Sequence, residues 1–256
     1  MVNESQELAG RLAWIVGATG TLGEATAMLL ARRGARVALS ARNADRLDAI
    51  ARNIAGAAAF PLDLKSDASV RGAAERVGAA MGPVELLVVT VAVPAFGEFL
   101  ELDDAAFQDA METKYMGSLR AARAVLPGMI ARRFGRIVVL SGGGGTFPRP
   151  VHLPGGGANA ALELVARGLA KRYAKDGIRV NIVAPGLVET EMGRRLMKAS
   201  AGVKDLRELD KVMPFGRVCQ PEDVANVVRF LVSERNSYLT GERVYCDGGG
   251  QQALRA

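Results

Sequence analysis

Hydrophobic and polar positions alternate in two rhythms along this 256-residue chain. Short, nearly continuous apolar runs occur at 11–17 (RLAWIVG), 36–41, 57–63, 84–91, 135–141, 178–184 and 242–247. Runs of this length, with few polar positions between the apolar ones, predict strands buried on both faces. The stretches between them place apolar residues at helical spacing, most clearly over 22–34, 43–54, 67–81, 103–132, 156–175 and 221–234. Repeated strand–helix alternation predicts an α/β architecture: a doubly wound, mostly parallel seven-stranded sheet with helices on both faces and right-handed crossovers. No charge run, Pro/Ser linker or internal repeat divides residues 1–256, so one domain is expected. Residues 186–220 break the rhythm and read as an insertion capping a ligand crevice.

Composition narrows this picture. Aromatics make up only 5% of the chain while glycine contributes 30 residues, so Ala, Val and Leu must do most of the packing. The N-terminal MVNESQELAG carries two acids and no apolar core, unlike a secretory signal. The longest apolar run, near 86–96, is too short to span a bilayer. A soluble, cytoplasmic protein with two reduced packing thiols, Cys219 and Cys246, is expected. The net charge of +6 comes from arginines scattered through helices without interleaved aromatics. That argues for a solvated surface rather than a nucleic-acid face, and it suits an anionic cofactor. Neither a membrane nor a metal site is expected.

The most informative segment is WIVGATGTLGEATAMLLARRGARVALSAR, residues 14–42. A strand runs into Gly17, Gly20 and Gly23, a helix follows, and a second strand ends about 20 residues further on. Glycines there allow a tight turn and close approach to a pyrophosphate, and the helix N-terminus supplies free N–H groups and a positive dipole end. The predicted contacts are Gly17, Thr19, Gly20, Thr21, Leu22 and Gly23. At the end of the second strand, where an acid would hold a ribose 2′-hydroxyl, the chain has Ala41 and Arg42. A guanidinium without a repelling carboxylate favours NADP(H) over NAD, although Arg42 could also be ordinary surface at a helix start. Asp63, followed by Leu64, either accepts from an adenine amino group or caps the next helix.

With GATGTLG (17–23), GRIVVLS (135–141), GIRVNIVAPGLVETEM (177–192), GRVCQPEDVA (216–225) and YLTGERVYCDGG (238–249), the chain resembles the short-chain dehydrogenase/reductase family from about residue 10 to 250. The resemblance implies a Rossmann-type domain. It places Ala92, Pro185, Gly186 and Val188 along a nicotinamide cofactor, Thr190 at its carboxamide or diphosphate, and implies a homodimer or homotetramer. The glycine loop departs slightly, with Thr21 where the main branch has glycine and a glycine one place earlier.

The family's Ser, Tyr, Lys and Asn catalytic positions fall here on Gly142, Gly155, Asn159 and Lys114. Losing a positioned general acid removes on the order of 10²–10⁴ in rate. The candidate replacements are Lys114, facing Asn159 across the site, the lone His152, and Ser141, with Tyr115 behind them because it points about 100° away around a helix. Gly142 and Gly155 imply a larger, more apolar or more mobile pocket. The expected function is an NADP(H)-dependent oxidoreductase with a non-standard site, acting on a carbonyl, imine or enone. A nucleotide-binding regulatory protein, or a non-redox enzyme using the enlarged pocket, is the alternative.

Overall fold

A computed structural model describes residues 6–250. Seven strands, β1 Leu12–Val16, β2 Arg36–Ser40, β3 Ala57–Ala59, β4 Leu86–Val89, β5 Gly135–Leu140, β6 Ile178–Pro185 and β7 Arg243–Cys246, form one sheet in the order β3-β2-β1-β4-β5-β6-β7. Every pairing is parallel. The helices are α1 Thr21–Arg32, α2 Ala44–Arg52, α3 Asp67–Met81, α4 Asp104–Ala110, α5 Gly117–Ala131, α6 Leu153–Tyr173, α7 Glu191–Ala201 and α8 Pro221–Val232.

The continuous apolar strands are explained by the two layers that cover them. In β1, Leu12, Trp14 and Val16 point into a core shared with Val70 and Val77 of α3, Val125 and Met129 of α5 and Leu162 of α6. Ala13 and Ile15 point the other way, onto Leu30 of α1, Leu47 of α2 and Val228 of α8. Each face therefore demands an apolar residue, and the period-two signal disappears. The single tryptophan is fully buried, and its indole N–H donates to Ser40 Oγ at 2.8 Å, which in turn donates to the Phe60 carbonyl. That chain satisfies the polar groups between β1, β2 and the segment after β3.

Several boundaries differ from the sequence pattern. The run at 57–63 is a strand only over Ala57–Ala59, because Pro61 has no N–H to continue the ladder, though Phe60 and Leu62 still donate to Leu39 and Ala41. The helix expected over 103–132 is split by a π-helical turn at Met111–Met116 between α4 and α5. The helix expected from 156 begins at Leu153, with Pro154 in its first turn, so Pro154 and Gly155 are helical as well. Residues 186–220 hold α7 and a 3₁₀ segment, Leu206–Val212, around a small core of Leu187, Met197, Leu206, Met213 and Val218. Among the described residues, no helix is long and apolar enough to cross a membrane.

Candidate active site

The chain reverses direction across the sheet between β1 and β4, and a crevice opens there at the C-terminal strand ends. Two adjoining cavities, of about 690 and 360 Å³, share Thr19, Gly20, Thr90, Val91 and Ala92 and so form one groove. The larger is bordered by Gly17, Arg42, Asp63 and Leu64. The smaller is bordered by Thr21, Leu22, Pro185, Gly186, Val188 and Thr190, together with Lys114, Ser141, His152 and Asn159. Apart from Gly23, which packs beneath the loop, and Tyr115, which packs on the main core, every candidate residue lines this groove.

The glycine turn is sterically required. Gly17 has φ +92°, and a Cβ there would approach Thr90 Oγ1 to 2.7 Å. A Cβ on Gly23 would collide with the Gly17 carbonyl, so α1 could not seat against the loop. No side chain caps α1 at Gly20, which leaves its first-turn N–H groups and positive dipole end directed at the groove. At the far end Arg42 is exposed, and it has no ion pair or hydrogen bond among the described residues. Asn43 caps α2. Asp63 does not cap α3, since Ser66 does so; the Asp63 carboxylate accepts from Lys65 N at 3.0 Å.

On the opposite wall, Thr190 Oγ1 caps α7 by accepting from Gly193 N at 3.0 Å, and its hydroxyl lies 3.3 Å from the Val188 carbonyl. The threonine is thus engaged in positioning the start of α7.

The chemistry-bearing groups collect in the smaller cavity. Lys114 sits in the π-helical turn, and its Nζ donates to the Val91 carbonyl at 2.7 Å. Burial lowers its pKa to about 8, partly opposed by the Glu163 carboxylate. His152 precedes α6 and packs on Phe96, with ring centroids 4.8 Å apart. Its Nδ1 lies 2.9 Å from the Ala95 carbonyl and must donate to it, which leaves Nε2 as the open ring atom. Burial, reinforced by Lys114 and Arg149, depresses the imidazole pKa against the opposing effect of the Ala95 bond, so the neutral ring is favoured. Tyr115 instead packs on the main core.

The expectation of empty space at the glycines needs correction. A Cβ built on Gly155 would fall inside the imidazole of His152, which occupies that volume. At Gly142 a Cβ would come within 3.2 Å of Asn159 Nδ2. Ser141 Oγ, Asn159 Oδ1 and Glu163 Oε1 are all buried without a hydrogen-bond partner. Glu163 was not anticipated, although it lies one helical turn beyond Asn159, a spacing visible in the sequence. Its other oxygen pairs with Arg243 Nη1 at 2.5 Å. Arg149, also missed, lines the same cavity.

A family model described as enoyl-(acyl carrier protein) reductase matches residues 17–251. The chain is 32% identical over 242 residues to the 3-oxoacyl-(acyl-carrier-protein) reductase FabG of Escherichia coli, covering 94% of this chain and 97% of that protein. The chain belongs to the short-chain dehydrogenase/reductase family. Among solved structures of this family's fold, L-sorbose reductase from Gluconobacter frateurii, complexed with NADPH and L-sorbose, superposes with TM-score 0.87 at 30% identity, covering 96% of this chain and 98% of that one. Gluconate 5-dehydrogenase from Burkholderia cenocepacia, in complex with NADP and tartrate, gives TM-score 0.89 at 27% identity and 98% coverage of both.

A nicotinamide dinucleotide fits the groove of this short-chain dehydrogenase/reductase on its own geometry. Substituents at Gly17 and Gly23 would close the cradle, the uncapped α1 end meets a diphosphate, and the groove runs on to the Lys114 cluster. Among the described residues, no group of three His, Cys, Asp or Glu side chains could hold a metal ion.

Proposed function

We propose that this protein is an NADP(H)-dependent oxidoreductase in which Lys114, Gly142, Gly155 and Asn159 stand at the family's catalytic positions and His152 replaces the missing phenol. The observation that carries this reading is the occupation of residue 155's side-chain volume by the His152 ring, in the cavity that also holds Lys114. Arg42, unpaired beyond Ala41, supports a 2′-phosphate, and both NADP-containing relatives above support the same cofactor. The bound cofactor supplies or accepts hydride.

The chain's own groups divide the remaining work. Neutral His152, held by Ala95, presents Nε2 to accept or return a proton at the substrate oxygen or nitrogen. The Lys114 ammonium, with a pKa near 8, places positive charge beside a developing alkoxide and exchanges protons in the same pH range. Two titratable groups pushed to different values suit an acid–base pair. Ser141 Oγ and Asn159 Oδ1, both unpartnered, orient the substrate heteroatom. Residues 186–220 act as the cap, and the protein assembles as a homodimer or homotetramer.

Fluorescence enhancement and melting shift measured with NADPH and NADH test the cofactor assignment. Saturable NADPH binding with a much weaker NADH response is expected, and equal responses overturn the NADP preference. NADPH oxidation across carbonyls, imines and enones then tests the reaction: turnover that falls in His152→Ala supports the reading. Tight binding without any turnover overturns it.

A further inference from the structure

Nine arginines among the described residues are withdrawn from solvent, and eight of them have partners. Arg11 meets Glu85, Arg120 meets Glu112, Arg136 and Arg179 meet Glu234, Arg229 meets Glu7 and Arg243 meets Glu163. Arg132 donates to the Val84 carbonyl, and Arg33 is also partnered. Arg149 is the exception: it is half-buried, yet among the described residues no hydrogen bond or ion pair engages its side chain. Unlike the buried, unpartnered nitrogens of Arg132, Arg136 and Arg179, its guanidinium nitrogens remain open to solvent, so five N–H donors are available to an acceptor from outside the chain.

Arg149 lies on the segment between β5 and α6, three residues before His152, and borders the 360 Å³ cavity beside Lys114 and His152. The acidic groups near that cavity each have a cationic partner, although Glu163 Oε1 is itself buried without one. Glu191 is held by Arg194 and Arg195, and Glu163 lies behind Asn159, paired with Arg243. The cavity therefore has a cationic rim and walls that are otherwise largely apolar, from Val91, Val93, Leu187 and Leu196.

We infer that the substrate is a small carboxylate, its anionic group gripped by the Arg149 guanidinium while its reacting carbon lies toward Lys114 and His152. The planar fork of arginine matches a carboxylate in two parallel hydrogen bonds, which gives orientation as well as attraction. This inference rests on the oxidoreductase reading for the identity of the reacting carbon, but not for the anion site itself.

The test uses the full chain saturated with NADPH and unreactive probes of matched shape: cyclohexanecarboxylate, cyclohexanecarboxamide and cyclohexylphosphonate. Isothermal titration is expected to show the carboxylate binding at least about tenfold tighter than the amide. Arg149→Gln should abolish that preference while NADPH binding persists, and Arg149→Lys should retain part of it. Equal binding of acid and amide, no binding of the carboxylate at millimolar concentration, or a preference that survives in Arg149→Gln overturns the proposal. A phosphonate bound much more tightly than the carboxylate also overturns it, in favour of a phosphorylated substrate. If NADPH itself fails to bind, the oxidoreductase reading fails; the same titrations on the cofactor-free chain then decide the anion site alone.

Discussion

The two halves of the groove are built by different means. At the dinucleotide end, recognition resides in backbone: Gly17 turning at φ +92°, Gly23 admitting the loop, and the uncapped start of α1. At the other end the surface is made by side chains, with His152 in the volume a side chain at residue 155 would take and Asn159 reaching toward Gly142. A backbone cradle tolerates almost no substitution at Gly17 and Gly23. A cavity lined by side chains can exchange its chemistry residue by residue while the sheet beneath it stays the same.

The largest effect is expected at the cradle. Gly17→Val combines a left-handed φ with a clash against Thr90, and should cost about 3–5 kcal/mol of stability and abolish NADPH binding. Urea denaturation and cofactor fluorescence measure the two losses, and a well-folded, binding-competent variant would break the distinction.

Lys114 sharpens the comparison through pH. Between pH 8 and 10.5 the unfolded chain keeps a proton that the folded chain has released, so raising pH across this window favours folding. Wild type should therefore gain up to about 3 kcal/mol relative to Lys114→Met over that interval, read from denaturation at several pH values. A constant difference would mean that the ammonium is not desolvated.

Gly155→Tyr tests the exchange of volumes. Because the imidazole fills the space, the single substitution should cost about 1–3 kcal/mol by overpacking. Adding His152→Ala should recover most of that cost, a coupling that a double-mutant cycle measures. Additive effects would remove His152 from that volume.

The smallest change is expected at the exposed end. Arg42→Asp should weaken NADPH binding by roughly tenfold to a hundredfold, with NADH unaffected or improved, as titration fluorescence can show.

Legibility in the sequence follows the same divide. The buried strands, the glycine turn and the position of Arg42 are local patterns, and their physical causes act within a few residues. The π-helical turn around Lys114 left no such trace, since nothing in METKYM distinguishes it from an ordinary helical turn. The pattern started α6 only at Gly156, but the helix begins three residues earlier, at Leu153, and contacts of Ala158 and Leu162 hold it against the core. The collision between residue 155 and His152 depends on how the 3₁₀ turn at Pro150–His152 folds back, which spacing alone cannot encode. Arg149 stood in plain view among prolines, but its significance lies in the partners it lacks, and those are visible only in three dimensions.

The extra residue accommodated by the wide turn at Met111–Met116 makes this stretch a dial. Removing or adding a single residue there would change which side chain swings over the crevice, while α4 and α5 on either side keep their own seats against the protein. An insertion or deletion in METKYM is thus a short mutational route for retuning the reaction without rebuilding the scaffold.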